Sequence, residues 1–490
     1  MKRTHLILLC LILLIGLFFR TYMVVERYDY AHDSDLYSWM VKDIVINHHF
    51  RLIGQLTSAP GIFIGPLFYY SLVPFFLLTN MDPIGALIPV TILGLLTIFS
   101  YYFVLSKLFT KETGLIGAFL YAVLLTTVNA DRWVVPTVTT SIWAIWYFYT
   151  IVMISRKNYL VFPLLGFLAG LIWHVHIALI PTLIAIPVAI IISKKLPTIK
   201  QACISLIAFL IPSLPMFLFE MRHHFQQTIA LIENFTTPHI GPSGLDKFLH
   251  VLSMVTQNTN ALLFAPQSFT LAQNIFFVIL ILLSPLFLIK RKVLTLKDLI
   301  PLYSWIIGVI LFFSVSSSPI SEYYFSNINV ILIAFISLLL SFLAKKGKLF
   351  LTIIVGLLIC IALKNAYFFA SEHYYNKGYL ERKAVVEYIK QDSNKREFPC
   401  IGISYITAPG ENVGFRYFFW LAKLHLVHPS VDVPVYNIVI PDELSLKEVK
   451  QKFGHIGLIP PVKIPSKEII DKSCQTPDTN VTDSMFGYVQ

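Results

Sequence analysis

Long apolar runs constrain this 490-residue chain more than any other feature, because they recur from the N-terminus to about residue 370. A helix that crosses a bilayer needs about 20 consecutive apolar residues. Charged residues make up 13% of the chain, against roughly 25% in a soluble domain. The pattern predicts a mainly α, polytopic membrane protein of about 11 transmembrane helices, with spans near residues 5–25, 84–105, 113–128, 138–154, 159–174, 176–193, 199–219, 271–289, 299–316, 325–344 and 348–368.

The basic residues favour one orientation of these spans. Lys and Arg concentrate in short loops on the cytoplasmic side of membrane proteins, and here they follow every second predicted span. The net charge of +11 is therefore explained by membrane orientation, and no nucleic-acid partner is expected. A plasma-membrane protein with a cytoplasmic N-terminus and an extracytoplasmic C-terminus is predicted, with inner clusters at Lys2/Arg3, Lys107/Lys111, Arg156/Lys157, Lys194/Lys195/Lys200, Lys290/Arg291/Lys292 and Lys345/Lys346/Lys348.

One further apolar run, residues 61–79, would reverse every later loop if it crossed the membrane. It carries Pro66 and Pro74, which interrupt regular helical hydrogen bonding. Its Tyr69 and Tyr70 suit the headgroup level of a bilayer. The run is therefore predicted to lie in the outer membrane interface rather than to span the membrane.

The composition changes after residue 370, so the chain is divided into a transmembrane part, residues 1–370, and a C-terminal part, residues 371–490. In the second part, helical spacing covers residues 381–391, and residues 400–406 and 433–440 have the pattern of strands. A small extracytoplasmic α/β domain is predicted. Such a location permits a disulfide between Cys400 and Cys474, and no cysteine spacing typical of a zinc site occurs.

This topology places the polar clusters on the outer side of the membrane. The first of them follows the first span and contains His32, Asp33 and Asp35. Transfer of a sugar to a hydroxyl needs a carboxylate that removes the acceptor's proton. Asp33 and Asp35 point in different directions whether the segment is extended or helical, so one is expected to be the base and the other a binding or structural residue. An ordinary solvated loop is the alternative. The outer segments are residues 26–82, 129–137, 174–176, 220–270 and 317–324.

Other outer residues are candidates for holding a phosphate or a sugar. Arg132 and Arg222 lie near helix ends, where a guanidinium binds phosphate with two parallel hydrogen bonds. His174 and His176 form an outer corner, and Glu322, Tyr323 and Tyr324 precede a late span. Each has a plainer explanation: headgroup contact for the arginines, helix-end hydrogen bonding for the histidines, and the interfacial aromatic belt for the tyrosines.

Several functional classes receive little support. The sequence has no phosphate-binding glycine loop, no dinucleotide fingerprint and no nucleophile elbow. The predicted spans contain almost no charged residues at mid-depth, which argues against an ion-coupled transporter. A receptor or scaffold would have no evident use for outer loops that all carry acids, bases or cations at one depth.

Taken together, these features resemble the GT-C superfamily of membrane glycosyltransferases, in the branch with bacterial protein O-mannosyltransferases and aminoarabinose transferases. The resemblance covers residues 5–370 and depends on the order of several motifs. These are Asp33-Ser34-Asp35, an amphipathic stretch, Gly65-Pro66-Leu67-Phe68-Tyr69-Tyr70, Lys107-Leu108-Phe109 with residues 114–118, Arg132-Trp133 with Pro136, Trp173-His174-Val175-His176, Phe219-Glu220-Met221-Arg222-His223 and Glu322-Tyr323-Tyr324.

The resemblance implies a function and roles for these residues. The implied reaction moves a sugar from a polyprenyl-phosphate donor to an extracytoplasmic acceptor with inversion, Asp33 being the general base, and without a cofactor or metal. The family's second acidic residue falls at Ser34, and Glu322 replaces a histidine. Phe68, Tyr69 and Tyr70 would guide the prenyl chain, and the donor or acceptor would contact His32, Asp35, Arg132, His174, His176, Arg222, His223, Glu322, Tyr323 and Tyr324.

Two alternatives remain open at this point. A lipid-linked glycan flippase or transporter would bind the same kind of donor without transferring the sugar. A metal-dependent transferase of the same superfamily would use His32, Asp33 and Asp35 to hold a divalent ion. The sequence identifies neither the sugar nor the acceptor, which is a protein, a lipid or a cell-wall polymer.

Overall fold

A computed structural model of the chain describes residues 3–236, 243–265, 271–316, 320–372, 374, 376–445 and 447–480. Parts of the predicted outer segments 220–270 and 317–324 and of the C-terminal part lie outside the described residues. The helices before residue 372 are α1 (Arg3–Thr21), α2 (His32–Ile46), α3 (Leu67–Leu78), α4 (Leu87–Leu108), α5 (Lys111–Val123), α6 (Leu125–Arg132), α7 (Thr140–Ser155), α8 (Phe162–Val175), α9 (Ala185–Ser193), α10 (Ile199–Arg222), α11 (Gln226–Thr236), α12 (Gly244–Phe264), α13 (Leu271–Lys290), α14 (Leu296–Val315), α15 (Asn329–Ala344) and α16 (Lys348–Ser371).

The apolar runs do form helices, and the chain is a multi-pass membrane protein. Seven helices among the described residues are long and apolar enough to cross a bilayer: α1, α4, α7, α10, α14, α15 and α16, some with a flanking 3₁₀ turn. The other four predicted spans coincide with α5 and α6 together, with α8, with α9 and its preceding turn, and with α13. Because these are bent or shorter, the predicted number of 11 spans is not confirmed.

A bend of 64° separates α5 from α6. Leu124 adopts an extended conformation between them, and the Thr127 hydroxyl donates to the carbonyl oxygens of Tyr121 and Leu124, each at 2.7 Å. The side chain therefore satisfies backbone acceptors that the bend releases, which a buried backbone requires. The bend directs the end of α6 toward the end of α1.

A buried ion pair joins α1 to α6. The Arg20 guanidinium is fully buried and donates from Nε to the Asp131 carboxylate at 2.8 Å. The Tyr121 hydroxyl donates to the other carboxylate oxygen at 2.7 Å. A Cβ at Gly94 of α4 would lie 2.5 Å from the Arg20 Nε, so glycine allows the helix to approach this closely. These contacts fix the C-terminal end of α1 within the helical bundle.

The apolar run at residues 61–79 forms α3, a helix of 12 residues that packs against α2. Its Leu72 and Phe76 are buried in a core that also contains residues of α2 and of the C-terminal part. The rings of Phe76 and Tyr417 lie 6.3 Å apart. A 12-residue helix is too short to span a bilayer, and its position at the membrane interface stays a prediction.

The C-terminal part is an α/β unit, as predicted. Its five-stranded sheet has the order β2-β1-β3-β5-β4, in which β1 is parallel to β2 and β3, and β5 is antiparallel to β3 and β4. A disulfide joins Cys400 to Cys474. The elements are α17 (Tyr379–Lys395), β1 (Ile401–Thr407), α18 (Arg416–Leu421), β2 (Leu426–Val427), β3 (Val435–Ile440), β4 (Gln451–Phe453), β5 (Ile456–Ile459) and α19 (Lys467–Ser473).

The α/β unit is docked on the helical part through specific polar contacts. Asp82, before α4, accepts hydrogen bonds from the Tyr379 hydroxyl and the Lys383 ammonium, both at 2.6 Å. The Tyr379 amide donates to the Tyr28 carbonyl oxygen at 3.0 Å. The Tyr417 hydroxyl donates to the Met81 carbonyl oxygen at 2.8 Å. The loop after α1, the start of α4 and the C-terminal unit are therefore held together.

We expect Asp131→Asn to destabilise the protein strongly, because it leaves the Arg20 guanidinium buried without a counter-charge. Removing one partner of a buried ion pair costs about 3–5 kcal/mol. The apparent melting temperature in detergent micelles should fall clearly below that of the wild type. Glu112→Gln is the matched control, since it breaks the largely exposed Lys345–Glu112 contact of 3.3 Å, worth about 0–1 kcal/mol. Similar melting temperatures for the two variants would contradict the expectation.

Candidate active site

The carboxylates of the first outer loop lie at the start of α2. Asp33 is in the first turn of this helix and is partly exposed. The Ser34 hydroxyl donates to the Asp29 carbonyl oxygen at 3.3 Å, which fixes the preceding loop against the helix. Burial raises the pKa of the Asp33 carboxyl, the charge of His32 lowers it, and the charge of Asp29 raises it further. A carboxylate with a raised pKa is a better proton acceptor.

Asp35 has a different environment, because two residues along a helix turn it by about 200° from Asp33. It is 3% exposed and faces the C-terminal unit. Its carboxylate accepts a hydrogen bond from the Tyr417 amide at 3.0 Å. Burial raises the pKa of Asp35 to about 7, although this hydrogen bond and the charges of Arg416 and Arg382 oppose the rise. The first turn of α2 thus directs the Asp35 carboxylate toward the C-terminal unit and the Asp33 carboxylate in a different direction.

A polar cavity of about 420 Å³, the loop cavity, lies beside this loop at the ends of α1, α6 and α16. Asp29, Arg27, Asn129, Arg132 and Glu372 are among the residues in its wall. Because the charges of Asp29 and Asp33 interact, the loop cavity is near the Asp33 side of α2.

The two arginines of the loop cavity differ in how their nitrogens are used. The Arg132 guanidinium donates to the carbonyl oxygens of Phe19, Tyr22 and Met23 at 2.9–3.2 Å. It therefore caps the end of α1, where helix carbonyls lack partners. Arg27 donates to the Glu372 carbonyl oxygen at 3.3 Å, and its buried Nε has no partner among the described residues. Arg27 consequently keeps more hydrogen-bonding capacity for a ligand than Arg132 does.

A second cavity of about 330 Å³, the central cavity, adjoins the loop cavity, since Ala130 and Trp133 are in both walls. Glu322 and Tyr323 line it, together with amide side chains of α12 such as Asn258. The sequence predicted Glu322 and Tyr323 as binding residues, and the structure places both at a polar cavity in the helical part.

An apolar groove of about 630 Å³ runs between α3, α4, α7 and α8. Its wall includes Phe68 and His174, and it shares Val138 with the central cavity. Aliphatic and aromatic side chains form nearly all of its lining. The apolar groove therefore neighbours the central cavity, and the central cavity neighbours the loop cavity, because each pair shares wall residues.

His174 holds the segment before α3 in place. Its Nδ1 accepts from the Leu67 amide at 3.2 Å, and its Nε2 lies 2.6 Å from the Pro212 carbonyl oxygen, to which it donates. A Cβ at Gly65 would lie 2.3 Å from the His174 ring. This close approach gives the Gly65-Pro66-Leu67 motif a physical reason: the glycine admits the imidazole, and the imidazole binds the first helical amide.

His176 packs against Tyr323 and Tyr324, which the sequence also predicted as binding residues. Its ring is 5.4 Å from the Tyr323 ring and 5.0 Å from the Tyr324 ring. Its Nδ1 accepts from the Ala178 amide at 3.1 Å, so it also caps the following helical turn. The Tyr324 hydroxyl is 2.7 Å from the Ser58 hydroxyl. These contacts hold His176 and Tyr324 in place within the protein. Of the three residues, only Tyr323 lines the central cavity.

Nine predicted residues do not line these three cavities: His32, Asp33, Asp35, Tyr69, Tyr70, His176, Arg222, His223 and Tyr324. Arg222 and His223 are exposed at the end of α10, and His223 hydrogen-bonds the Phe219 carbonyl oxygen at 2.9 Å. The Tyr69 hydroxyl donates to the Gln55 side chain at 3.1 Å, and the Tyr70 hydroxyl to the Arg51 carbonyl oxygen at 3.0 Å. Of the aromatic triplet predicted to guide a lipid, only Phe68 lines the apolar groove.

Solved structures of other proteins share this architecture. The chain is similar to ArnT from Cupriavidus metallidurans bound to undecaprenyl phosphate, with a TM-score of 0.59 and 11% identity over 94% of this chain and 98% of that one. It is also similar to the oligosaccharyltransferase AglB from Archaeoglobus fulgidus, in complex with an inhibitory peptide and a dolichol phosphate. That TM-score is 0.51, with 13% identity over 95% of this chain and 75% of the other. Both are GT-C membrane glycosyltransferases.

This chain has the GT-C fold. No protein-family model and no curated protein matches the sequence. The likeness to ArnT covers the C-terminal unit as well as the helices, since nearly the whole of both chains is aligned. The resemblance inferred from the order of motifs is therefore confirmed at the level of the fold.

The structure shows functional candidates that were not predicted from the sequence. Arg27 and Asp29 line the loop cavity, and the Arg20–Asp131 pair supports it. Asp29 could have been found, because it is one of three carboxylates in a loop of a chain that otherwise avoids charge. Asp131 stands beside Arg132 in a short polar segment, which marks it as a candidate. Its ion-pair partner Arg20 could not be predicted, because it lies 111 residues away in the sequence.

His32, Asp33 and Asp35 do not converge as metal ligands would. Among the described residues, the group with suitable spacing is Asp442, Glu443 and His455, in the C-terminal unit. There the Lys452 ammonium lies 2.5 Å from the Asp442 carboxylate and already neutralises it. Metal binding at the start of α2 therefore receives no support from the geometry of these three side chains.

We expect Asp35→Asn to stabilise the protein relative to wild type increasingly as the pH rises from about 4 to about 7. The folded-state pKa of about 7 lies above the ordinary value of 3.8, so ionisation of this carboxyl opposes folding over that interval and contributes a constant amount above it. An asparagine oxygen still accepts from the Tyr417 amide. Melting temperatures at pH 5, 6, 7 and 8 test this.

Asp432→Asn is the control, because Asp432 is an exposed carboxylate of the C-terminal unit, against which Asp35 packs. Its melting temperature should follow the wild type at every pH. A difference between Asp35→Asn and wild type that shrinks with increasing pH would show that the Asp35 carboxylate is stabilised by its cationic neighbours rather than destabilised by burial.

Proposed function

We propose that the protein is an integral-membrane glycosyltransferase that moves a sugar from a polyprenyl-phosphate donor to an extracytoplasmic acceptor. The supporting observation is a set of neighbouring sites in a GT-C fold: an apolar groove, a central cavity lined by hydroxyl and amide side chains, and a loop cavity that contains Asp29 in its wall. A single ligand with a long apolar chain, a charged phosphate and a polar sugar has parts that suit these three environments.

The apolar groove would bind the prenyl chain. Burial of apolar surface contributes about 25 cal/mol per Å², and the lining of this groove is almost entirely apolar. Phe68 would contact the chain, while Tyr69 and Tyr70 would act through the structure of α3. The neighbours support this assignment, since ArnT was solved with undecaprenyl phosphate and AglB with a dolichol phosphate.

The phosphate would lie near the loop cavity, where Arg27 is the better candidate to bind it. A guanidinium makes strong, charge-assisted hydrogen bonds with phosphate oxygens. The Arg132 guanidinium is directed at three carbonyl oxygens of α1, so its proposed role changes from a direct ligand to support of the cavity wall. The sugar would extend toward Glu322 and Tyr323 in the central cavity.

Asp33 would be the general base. Its carboxylate takes the proton of the acceptor's nucleophilic group as that group forms a bond to the anomeric carbon. The bond from that carbon to the phosphate oxygen breaks, and its electron pair leaves with the phosphate. Attack on the face opposite the leaving phosphate inverts the configuration. The raised pKa of Asp33 suits this role, whereas Asp35 is engaged with the C-terminal unit. The reaction as proposed uses no metal or other cofactor.

The proposed location follows from the predicted orientation of the spans. The site, the acceptor and the C-terminal unit would all be on the extracytoplasmic side of the plasma membrane, with the N-terminus in the cytoplasm. A donor carried by a membrane lipid could reach the groove from within the bilayer. The acceptor remains a protein, a lipid or a cell-wall glycan.

We expect Asp33→Asn to reduce turnover by about 10²–10⁴-fold, the usual contribution of a general base. Release of free polyprenyl phosphate would be measured with purified protein, a panel of polyprenyl-phosphate sugars and extracted membranes as acceptor source. Asp432→Asn is the control for an exposed carboxylate outside the site. Equal release by wild type and Asp33→Asn would contradict the role of Asp33, and donor binding without release by either would favour a transporter.

The pH profile provides an independent test of the same residue. Activity should fall as the pH drops through the pKa of Asp33, because the protonated acid cannot accept a proton. Asp29→Asn removes a negative neighbour and should move this acid limb of kcat/KM to lower pH, whereas His32→Gln removes a positive neighbour and should move it to higher pH. His428→Gln, an exposed residue of the C-terminal unit, should leave it unchanged. Shifts in the same direction would exclude Asp33 as the titrating group.

A further inference from the structure

A separate cavity of about 320 Å³ lies between the first turn of α2 and the C-terminal unit. We call it the interdomain cavity. The α2 side contributes His32 and Asp35, three residues apart and so on one face of the helix. None of its lining residues belongs to the apolar groove, the central cavity or the loop cavity. It is therefore separate from the sites proposed for the donor.

The C-terminal unit supplies the rest of the wall, including Tyr405 of β1, Asn412, Arg416 of α18 and Asn480. The lining mixes hydrogen-bonding groups with apolar side chains, among them the rings of Tyr405 and Phe419. Its volume is at the lower end of the range of about 300–1,000 Å³ for small-molecule sites. The cavity is thus suited to one small polar unit rather than to an extended chain.

Asn480 shows that the wall has an unsatisfied hydrogen-bonding group. Its side chain is 4% exposed, and its amide nitrogen donates to the Arg416 carbonyl oxygen at 2.8 Å. This bond determines the orientation of the amide, and the amide oxygen has no hydrogen-bond partner among the described residues. Buried polar groups nearly always have a partner, so a residue of the cavity wall carries an unsatisfied hydrogen-bond acceptor.

The charges of the interdomain cavity favour a neutral ligand. Arg416 is opposed by the buried Asp35 carboxyl, whose charge interacts with it. A phosphate would meet that carboxyl at close range and be repelled. A hydroxylated ring, in contrast, donates to carboxylate and amide oxygens, accepts from Arg416 and His32, and places its apolar face on Tyr405 or Phe419.

We propose that the interdomain cavity binds a neutral saccharide unit of the acceptor. This inference is based on the proposed glycosyltransferase function and adds that the acceptor, or the part of it next to the reacting group, is itself a glycan. Because Asp33 stands between His32 and Asp35 in the same helical turn, a sugar held in the cavity is within one turn of the proposed base. The C-terminal unit thereby takes part in selecting the acceptor.

The first test is equilibrium binding of neutral methyl glycosides to full-length Asp33→Asn protein in lipid nanodiscs, measured by calorimetry. Turnover is not needed, so a failure of the proposed function does not affect this result. We expect at least one methyl hexopyranoside to bind with a Kd below about 10 mM. Asn480→Leu, which removes the free amide oxygen, and Asn412→Trp, which obstructs the exposed mouth, should each weaken binding at least tenfold.

Asn394→Leu on the exposed surface of α17 is the matched control and should bind the glycoside as the parent protein does. Asn412 is itself exposed, so Asn412→Trp tests the cavity even if Asn480→Leu disturbs folding. Absence of binding by every glycoside would overturn the proposal. Binding that survives both cavity substitutions would also overturn it, because the glycoside would then bind elsewhere.

The second test separates acceptor from donor. In the polyprenyl-phosphate release assay with otherwise wild-type protein, the glycoside that binds should compete with the acceptor and leave the KM of the donor unchanged. Asn412→Trp should raise the KM of the acceptor at least tenfold with a donor KM close to wild type. Competition with the donor instead would assign the interdomain cavity to the transferred sugar and refute its role in acceptor binding.

Discussion

The geometry of the candidate site depends on how the C-terminal end of α1 is held. The Arg20–Asp131 pair is buried among α1, α4, α5 and α6, and the adjacent Arg132 binds the last carbonyl oxygens of α1. An unpaired ion would be very costly in this environment, so both charges must stay together. The loop that begins at this point carries Arg27, Asp29 and Asp33. A charge pair remote from the proposed chemistry thus determines where the carboxylates lie.

The second constraint is the position of α2 between the helical part and the C-terminal unit. Its buried residues, such as Tyr37 and Met40, share one core with residues of the sheet domain such as Tyr417. Because the helix is packed on that side, its first turn cannot rotate to exchange Asp33 and Asp35. The C-terminal unit is therefore a structural part of the site, and the division of the chain at residue 370 separates two folds that share a hydrophobic core.

Much of the fold could be predicted from the sequence, because span length, basic loops and proline placement act locally. The helices and the interruption of the apolar run at the short α3 follow from such signals, whereas the Cys400–Cys474 disulfide was permitted by the predicted location but not specified by it. Contacts between distant segments could not be predicted. Arg132 has the composition of a phosphate ligand, yet its acceptors are carbonyl oxygens about 110 residues away. Nothing local to Arg222 or Tyr70 indicates that each faces away from the cavities.

The same limit applies to the two carboxylates at the start of α2. The helical period predicts that Asp33 and Asp35 diverge, but not which of them a second domain would bury. In the structure, Tyr417 donates its amide to Asp35, while Asp33 stays partly exposed beside Asp29. A base must be reachable by the acceptor and able to release its proton afterwards, which favours the partly exposed group. The buried carboxyl is better suited to orienting a ligand, because its hydrogen bond to the backbone fixes its position.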